Sequence, residues 1–475
     1  MKQVGDEYFD SAEFRNLLNA YETSVNAGEP VFMDADELTD IADYYQYTEH
    51  LDEAEKAISL AMSLAPGAVA PLTYRIHEAL YQGDTQKAWQ LLDQIIETSE
   101  PDYIYDRAEI LIAEGKVDEA EAYLNEQLAS ISEDERQDFI MDVANIFHDY
   151  NQPGKAMDWM TKGEAENTPF YKELMGRTLF EMGKYKECQS IFNELVDVDP
   201  FSTRYWTALA SAQYMNEEYS ASVQSSEYAI AIEPNDPNAM LAKANGLMKL
   251  ENYEEALKFY DRYFDVVPDD CMALTQKSYC LLNLERPEEA LECLKMAEEL
   301  APSDSPDFCA ILQEEAFILI DQGRVDEAIE QLDRTDELDC DHIEIAIIKG
   351  HAYLSAQRFQ EAQACFIKAM TDSDDKNHTM LHIIVSVYDN KFADEAYRLF
   401  INFFNNVDEN FKDGYAYMAL CCQTMKKYEE YLSYLKKACE RNPKECKQVL
   451  GFLFPQDLAP EEYYNYTINK IKLQQ

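Results

Sequence analysis

Large apolar residues recur along the chain at i, i+3 and i+7, with a small residue at i+4. Leu38, Ile41, Ala42 and Tyr45 show the pattern most clearly, and Trp206, Leu209 and Ala210 open it again. That spacing gathers all four side chains on one face of a helix. A second helix follows each time, marked by small, large, small at i, i+4 and i+7, as in Ala54, Ile58 and Ala61. The turn between the two often carries glycine, at Gly83, Gly115, Gly183 and Gly323. Proline then ends the second helix, because it cannot continue one. The polar residue after it suits the N-cap of the next helix, as in Pro268-Asp269-Asp270.

These helix pairs repeat. Pro200, Pro234, Pro268 and Pro302 each stand 34 residues after the last, and Pro66 and Pro443 occupy the same place in other units. The small residue of the second helix runs Ala54, Ala88, Ala120, Ala156, Cys188, Ser222, Ala256, Ala290, Ala328, Ala362, Ala396 and then Tyr431, an average spacing near 34.3. Large residues replace small ones at Ile76, Ile384 and Tyr431, and spacings of 36 (Ala120 to Ala156) and 38 (Ala290 to Ala328) predict longer turns there.

This pattern resembles the tetratricopeptide repeat, and the likeness covers nearly the whole chain. The resemblance implies an all-α fold: a right-handed solenoid, or superhelix, of about twelve helix pairs, with the first helices on the concave side. The expected organisation is an N-terminal capping segment over 1–34, an array over 35–445 and C-terminal capping helices over 446–475. Solenoids need such ends to cover the apolar face of a terminal unit. Asp10-Ser11-Ala12-Glu13 offers a capping box before Phe14, Leu17, Leu18 and Tyr21, and Gly28 and Pro30 stop that helix. Pro460-Glu461-Glu462 opens a last helix with Tyr464, Ile468 and Ile471 on one face.

Composition narrows the partners. The 475 residues carry 40 Lys plus Arg against 92 Asp plus Glu, a net charge of −52. So acidic a chain is a poor ligand for nucleic acid or an anionic membrane. Residues 1–170 hold 10 basic and 37 acidic side chains, whereas residues 426–475 hold 9 and 7. The asymmetry either steers a basic partner toward the N-terminal units or keeps those units soluble. There is no apolar run long enough to cross a membrane and no signal-like stretch in Met1–Glu7. Eleven cysteines without a C-x-x-C read as reduced thiols serving as small apolar residues. The expected location is the cytoplasm, and the plain architecture reads as bacterial.

Little points to catalysis. No phosphate-cradling, dinucleotide-binding, nucleophile-elbow or zinc-protease motif occurs, and only seven His are present. His378 and His382 share a helix face at i, i+4, and His351 lies one unit earlier. Three such imidazoles either bind an ion or stand partly exposed without one, and no four-ligand zinc spacing accompanies them. The expectation is no metal, no cofactor and no enzyme.

The surface beside the buried stripe of the first helices is sampled by the residue after each small one. In order these are Asp43, His77, Glu109, Asn145, Arg177, Ser211, Asn245, Tyr279, Phe317, His351, Val385 and Leu420, running from acidic through amide and cationic to apolar. The candidate peptide-binding residues are Asn145, Arg177, Arg204, Tyr214, Asn238, Asn245 and Tyr279. Amides serve peptide groups as both donor and acceptor, and paired Arg suits a carboxylate. The terminal-carboxylate clamp of chaperone-binding members of the family is not carried over, since its first positions hold Thr39, Thr73 and Tyr105. The leading expectation is a scaffold for an extended protein or peptide segment. Self-association of the array into a homo-oligomer is the alternative, and a metal-dependent regulator built on the His cluster is the second.

Overall fold

Side chains at the helix starts supply the donors' missing partners. Asp34 and Glu37 form a reciprocal capping box, Asp84, Ser202, Asp270, Ser305, Asp341 and Asp375 each accept a first-turn N–H, and Pro101, Pro153, Pro169, Pro287 and Pro306 open helices where no N–H is needed. The structure, a computed structural model, describes residues 6–9, 11–163, 168–303, 305–336, 338–408, 410–455 and 458–474. Among them there is no strand, and no helix is long and apolar enough to cross a membrane.

The chain is an all-α helical solenoid that divides into two compact units, Met1–Ala242 and Lys243–Gln475. The first unit contains repeats 1 to 6: Ala35–Tyr47 with Leu51–Leu64, Val69–Tyr81 with Thr85–Leu92, Pro101–Ala113 with Val117–Leu128, Arg136–Asp149 with Pro153–Met160, Pro169–Glu181 with Tyr185–Val198, and Thr203–Met215 with Tyr219–Ile232. Repeat 7, Pro237–Lys249 with Tyr253–Phe264, spans the division. The second unit continues with repeats 8 to 12: Cys271–Asn283 with Pro287–Leu300, Pro306–Asp321 with Val325–Asp333, His342–Ser355 with Phe359–Asp372, Lys376–Asp389 with Ala393–Asn406, and Tyr415–Thr424 with Tyr428–Arg441.

One turn joins the helices of every pair. Its central residue is left-handed, with φ between 57° and 77°, at Glu49, Gly83, Gly115, Asn151, Gly183, Glu217, Glu251, Glu285, Gly323, Gln357, Lys391 and Lys426. The next N–H returns to the carbonyl five residues back, as from Asp84 to Ala79 and from Glu218 to Gln213, both at 2.8 Å. This double closure satisfies the last carbonyls of the first helix and aims the chain into the second. Glycine marks four of these turns; Glu, Asn, Gln and Lys make the same turn at the other eight.

The small residues mark where helices cross. Every member of the series from Ala54 to Ala396 is buried, and so is Tyr431, which fills its site within the C-terminal core. Ile76 and Ile384 are fully buried as well. Gly176 is small because a Cβ there would lie 2.7 Å from the buried ring of Phe192. At the 38-residue spacing the extra residues do more than lengthen a turn: Pro306–Asp321 grows to 16 residues, against 13 in Cys271–Asn283.

At the N-terminal end, Ser11 accepts the Phe14 N–H at 3.1 Å and caps Ala12–Ala27; Asp10 of the expected capping box lies outside the described residues. Phe14 and Tyr21 pack with Leu38, Ile41 and Tyr45 of repeat 1. At the other end Pro443 opens a helix, Pro443–Leu450, where the sequence pattern had it closing one. Pro460–Glu462 is a single 3-10 turn leading into Tyr463–Gln474. Tyr463 anchors that helix, its ring stacked 3.9 Å from Phe454, while Tyr464 and Ile468 are half-buried and Ile471 is exposed.

The cysteines correct one expectation. Cys309 and Cys340 are joined in a disulfide, with Cα atoms 6.1 Å apart, and the other nine are free. The bond ties the start of Pro306–Asp321 to the segment after the second helix of the same repeat. Neither residue follows a recognisable spacing, so only the fold brings them together.

Candidate functional site

In the first unit, side chains link one repeat to the next across four successive boundaries, from repeat 2 to repeat 6. Thr73 donates to Asp106 at 2.7 Å, and the Nε2 of His77 stands 3.4 Å from both Asp106 and Glu109. Tyr105 donates to Asp142 at 2.9 Å, and Tyr150 to Glu109 at 3.1 Å. Farther along, Asn145 donates to Asp149 at 2.7 Å within its own helix, Arg177 of the next repeat approaches Asp149 at 3.4 Å, and Arg204 meets Glu173 at 2.7 Å.

Burial and mutual repulsion shape these charges. Burial would lower the His77 pKa, but the hydrogen bonds and charges of Asp106 and Glu109 outweigh it and hold the imidazole up at about 10. Burial likewise pushes Glu109 up, and His77 more than reverses it, so its carboxyl sits below its usual range. Asp106 stays raised because burial prevails over His77. Asp43 is pushed up to about 6 by burial, with Asp40 adding and His77 opposing. Asp142 and Asp149 are raised by burial as well. The face therefore presents several carboxylates that a further positive charge would stabilise.

The candidate residues are placed as follows. Asn145 and Arg177 converge on Asp149, and the Oδ1 of Asn145 is buried without a hydrogen bond. Arg204 is exposed on Glu173, Tyr214 packs edge-on against Tyr219 of its own repeat at 5.5 Å, and Asn238 is exposed. Each Arg thus already holds a carboxylate of the preceding repeat. Asn245 and Tyr279 lie in the second unit, where Asn245 accepts from Tyr260 at 2.6 Å and Tyr279 stands half-exposed and edge-on to Tyr253. Sequence reasoning passed over Asp106, Asp142 and Tyr150, and met Thr73 and Tyr105 only as positions that lack the terminal-carboxylate clamp. All lie three to five residues from the sampled position, and only the packing of repeat on repeat shows that their side chains meet.

The three histidines weighed for a metal go separate ways. His351 faces Ser386 and Asn390, His378 lies between Asp375 and Asp413, and His382 meets Glu344. Among the described residues, no group of three or more metal-ligating side chains converges.

A family model for the tetratricopeptide repeat matches residues 174–238 and 241–305. No curated protein matches the chain. Among solved structures, the chain is similar to YrrB, titled a TPR protein with an unusual peptide-binding site, at 18% identity and a TM-score of 0.35, over 42% of this chain and 97% of that one. It is similar to PilF of Pseudomonas aeruginosa at 14% identity and a TM-score of 0.37, over 44% and 95%. A structure of the APC/C hetero-tetramer Cut9–Hcn1 aligns over 93% of both chains at 13% identity and a TM-score of 0.35. The helix pairs, their crossing residues and the family match agree: the chain belongs to the tetratricopeptide-repeat proteins, and its fold is that of a protein-interaction scaffold.

Proposed function

We propose that the chain is a non-enzymatic cytoplasmic scaffold that holds an extended, basic segment of a partner protein on the first-helix face of the Met1–Ala242 unit. The observation that supports this most is the set of carboxylates on the first helices of repeats 1, 3 and 4, Asp43, Asp106, Glu109, Asp142 and Asp149, answered by the imidazole of His77 on repeat 2 and by Arg177 on repeat 5. Lysine or arginine side chains of a partner complete that set. Asn145 and Asn238 serve the segment's peptide groups, Tyr214 offers a flat contact, and Arg177 and Arg204 exchange their present carboxylates for one on the partner. Asn245 and Tyr279 are candidate peptide contacts of the second unit, taken by itself. The N-terminal excess of acid draws such a segment in from a distance.

Fluorescence anisotropy with labelled Lys- and Arg-rich peptides, and with acidic peptides of equal length, tests this. Basic peptides bind and acidic ones do not, and affinity falls as salt rises. Replacing Asp142 and Asp149 together by Asn weakens binding at least about tenfold, the loss of some 1.4 kcal/mol. Arg177→Ala with Arg204→Ala weakens only peptides carrying a carboxylate. Equal binding of acidic and basic peptides, or unchanged binding by the Asn variant, rules the reading out.

A further inference from the structure

Two of the nine free thiols meet in the C-terminal core. Cys439 stands in the last turn of Tyr428–Arg441, the second helix of repeat 12, and Cys446 stands on the next helix, Pro443–Leu450. Asn442 and Pro443 separate the two helices, so the chain changes direction between the cysteines. Their sulfurs lie 3.8 Å apart. A bonded pair is about 2 Å apart, which leaves under about 2 Å to close.

The two thiols differ chemically. The Cys446 S–H, as donor to the Cys439 sulfur, holds Cys439 below the ordinary thiol range; burial opposes this and the Tyr464 N–H adds to it. Cys446 is pushed up by giving that hydrogen bond and by burial. Burial alone or in the main pushes Cys188, Cys280 and Cys422 up to about 12. Cys439 therefore carries the larger share of thiolate, the form that reacts with an oxidant.

The cover over the pair is thin. Cys439 is 4% exposed and Cys446 0%. Tyr463, which opens the last helix, Tyr463–Gln474, belongs to the same core cluster as both cysteines. Of Tyr463, Tyr464, Tyr466, Ile468 and Ile471 on that helix, Tyr463 alone is buried. A terminal helix held by so little apolar contact opens at low cost, and a small reagent reaches the sulfurs while it is lifted.

We propose that Cys439 and Cys446 form a site of reversible oxidation by hydroperoxide, which joins the last repeat to the C-terminal cap through a disulfide. The Cys439 thiolate attacks one oxygen of hydrogen peroxide and the O–O bond breaks. Hydroxide leaves and takes up the proton that Cys439 gave on ionising, so the products are a sulfenic acid and water. The Cys446 sulfur then attacks the sulfenic sulfur. The S–OH oxygen departs with the Cys446 proton as a second water, and the S–S bond forms. Two thiols thus lose two electrons to one peroxide, and a thiol reductant reverses the change. The site does not rest on the peptide-binding reading.

Hydrogen peroxide added to the full chain, followed by denaturation, alkylation and tryptic digestion without reductant, provides the test. The expected product is peptide 438–441 joined to peptide 445–447, separated again by dithiothreitol, with the free thiols reduced by two from nine. The joined pair forms at least about tenfold faster than any adduct on Cys280 or Cys422, whose thiols stay protonated. Cys446→Ser still reacts but stops at a sulfenic acid on Cys439, which dimedone traps. Cys439→Ser leaves Cys446 reduced at the same dose, and Cys280→Ser leaves the joined pair unchanged. Absence of the joined peptides at a dose that oxidises the partly exposed Cys365 overturns the proposal. So does equal trapping on Cys446 in Cys439→Ser. If a serine variant does not fold, the joined peptides of the native chain decide it.

Discussion

His77 on repeat 2 stands 3.4 Å from Glu109 on repeat 3, and Tyr150 on repeat 4 donates to the same carboxylate at 3.1 Å. A single acid therefore joins three consecutive repeats. The tie works only while the imidazole is charged, since a neutral ring could donate to one carboxylate but not compensate two.

The sign of the pH effect follows. The folded pKa of His77 is raised to about 10, above the unfolded value of about 6.5, so its contribution is complete below about pH 6.5. It is lost as the pH rises through the folded value. Urea midpoints measured from pH 6 to pH 10 should fall more steeply for the native chain than for His77→Gln. The variant itself should be weaker at pH 6 by about 3 kcal/mol, because Asp106 and Glu109 are left facing each other. Parallel profiles for the two proteins would show that His77 is not charged in this cluster.

Glu217, Glu251 and Glu285 occupy left-handed positions with φ of 62°, 60° and 57°, and all three side chains are exposed. An L-residue pays about 1 kcal/mol for that conformation and glycine does not. Each Glu→Gly replacement is expected to raise stability by roughly 0.5–1 kcal/mol, contrary to the usual effect of glycine near a helix. Gly183→Ala, at the equivalent turn, is expected to lower it by a similar amount. Thermal midpoints of the four variants check the turn assignment, which fails if the Glu→Gly changes destabilise.

Eleven cysteines and one disulfide leave nine thiols. Thiol titration of the denatured, unreduced protein should return nine, and eleven after reduction. Cys309 and Cys340 enclose a loop of about thirty residues, so reduction is expected to lower stability by about 3 kcal/mol. A count of eleven without reductant, in protein purified under air, would remove the bond.

Gly176 faces Phe192 closely enough that a Cβ would lie 2.7 Å from the ring. Alanine normally gains about 1 kcal/mol over glycine inside a helix. Here overpacking against a buried ring costs about 1–3 kcal/mol, and Gly176→Ala should come out destabilised or at best neutral. Gly154→Ala, in a helix but with nothing within 4 Å, should show the gain undiminished. Equal gains at both positions would mean that repeat 5 packs more loosely than described.

Phe14, Leu38 and Ile41, read as core from their spacing alone, are all fully buried. The eleven small residues from Ala54 to Ala396 likewise foretold the helix crossings, because a close crossing admits only small side chains and the need recurs from repeat to repeat. The turns were half legible. Gly83, Gly115, Gly183 and Gly323 announce a left-handed residue, whereas Glu217 and Lys391 adopt the same conformation without any sign in their chemistry.

The chemistry of the surface was the least visible. Arg177 and Arg204 could be placed on a helix face by counting, but not given the partners Asp149 and Glu173, which depend on how one repeat seats against the next. Cys309 and Cys340 carry no spacing signal. By itself the sequence determined the helix pairs, their number and their buried faces, since these follow from local periodicity and side-chain size repeated along the chain. Tertiary structure alone decided which charges meet and which thiols join. Those outcomes turn on distances of a few ångströms between side chains from different helices, which no local pattern along the chain records.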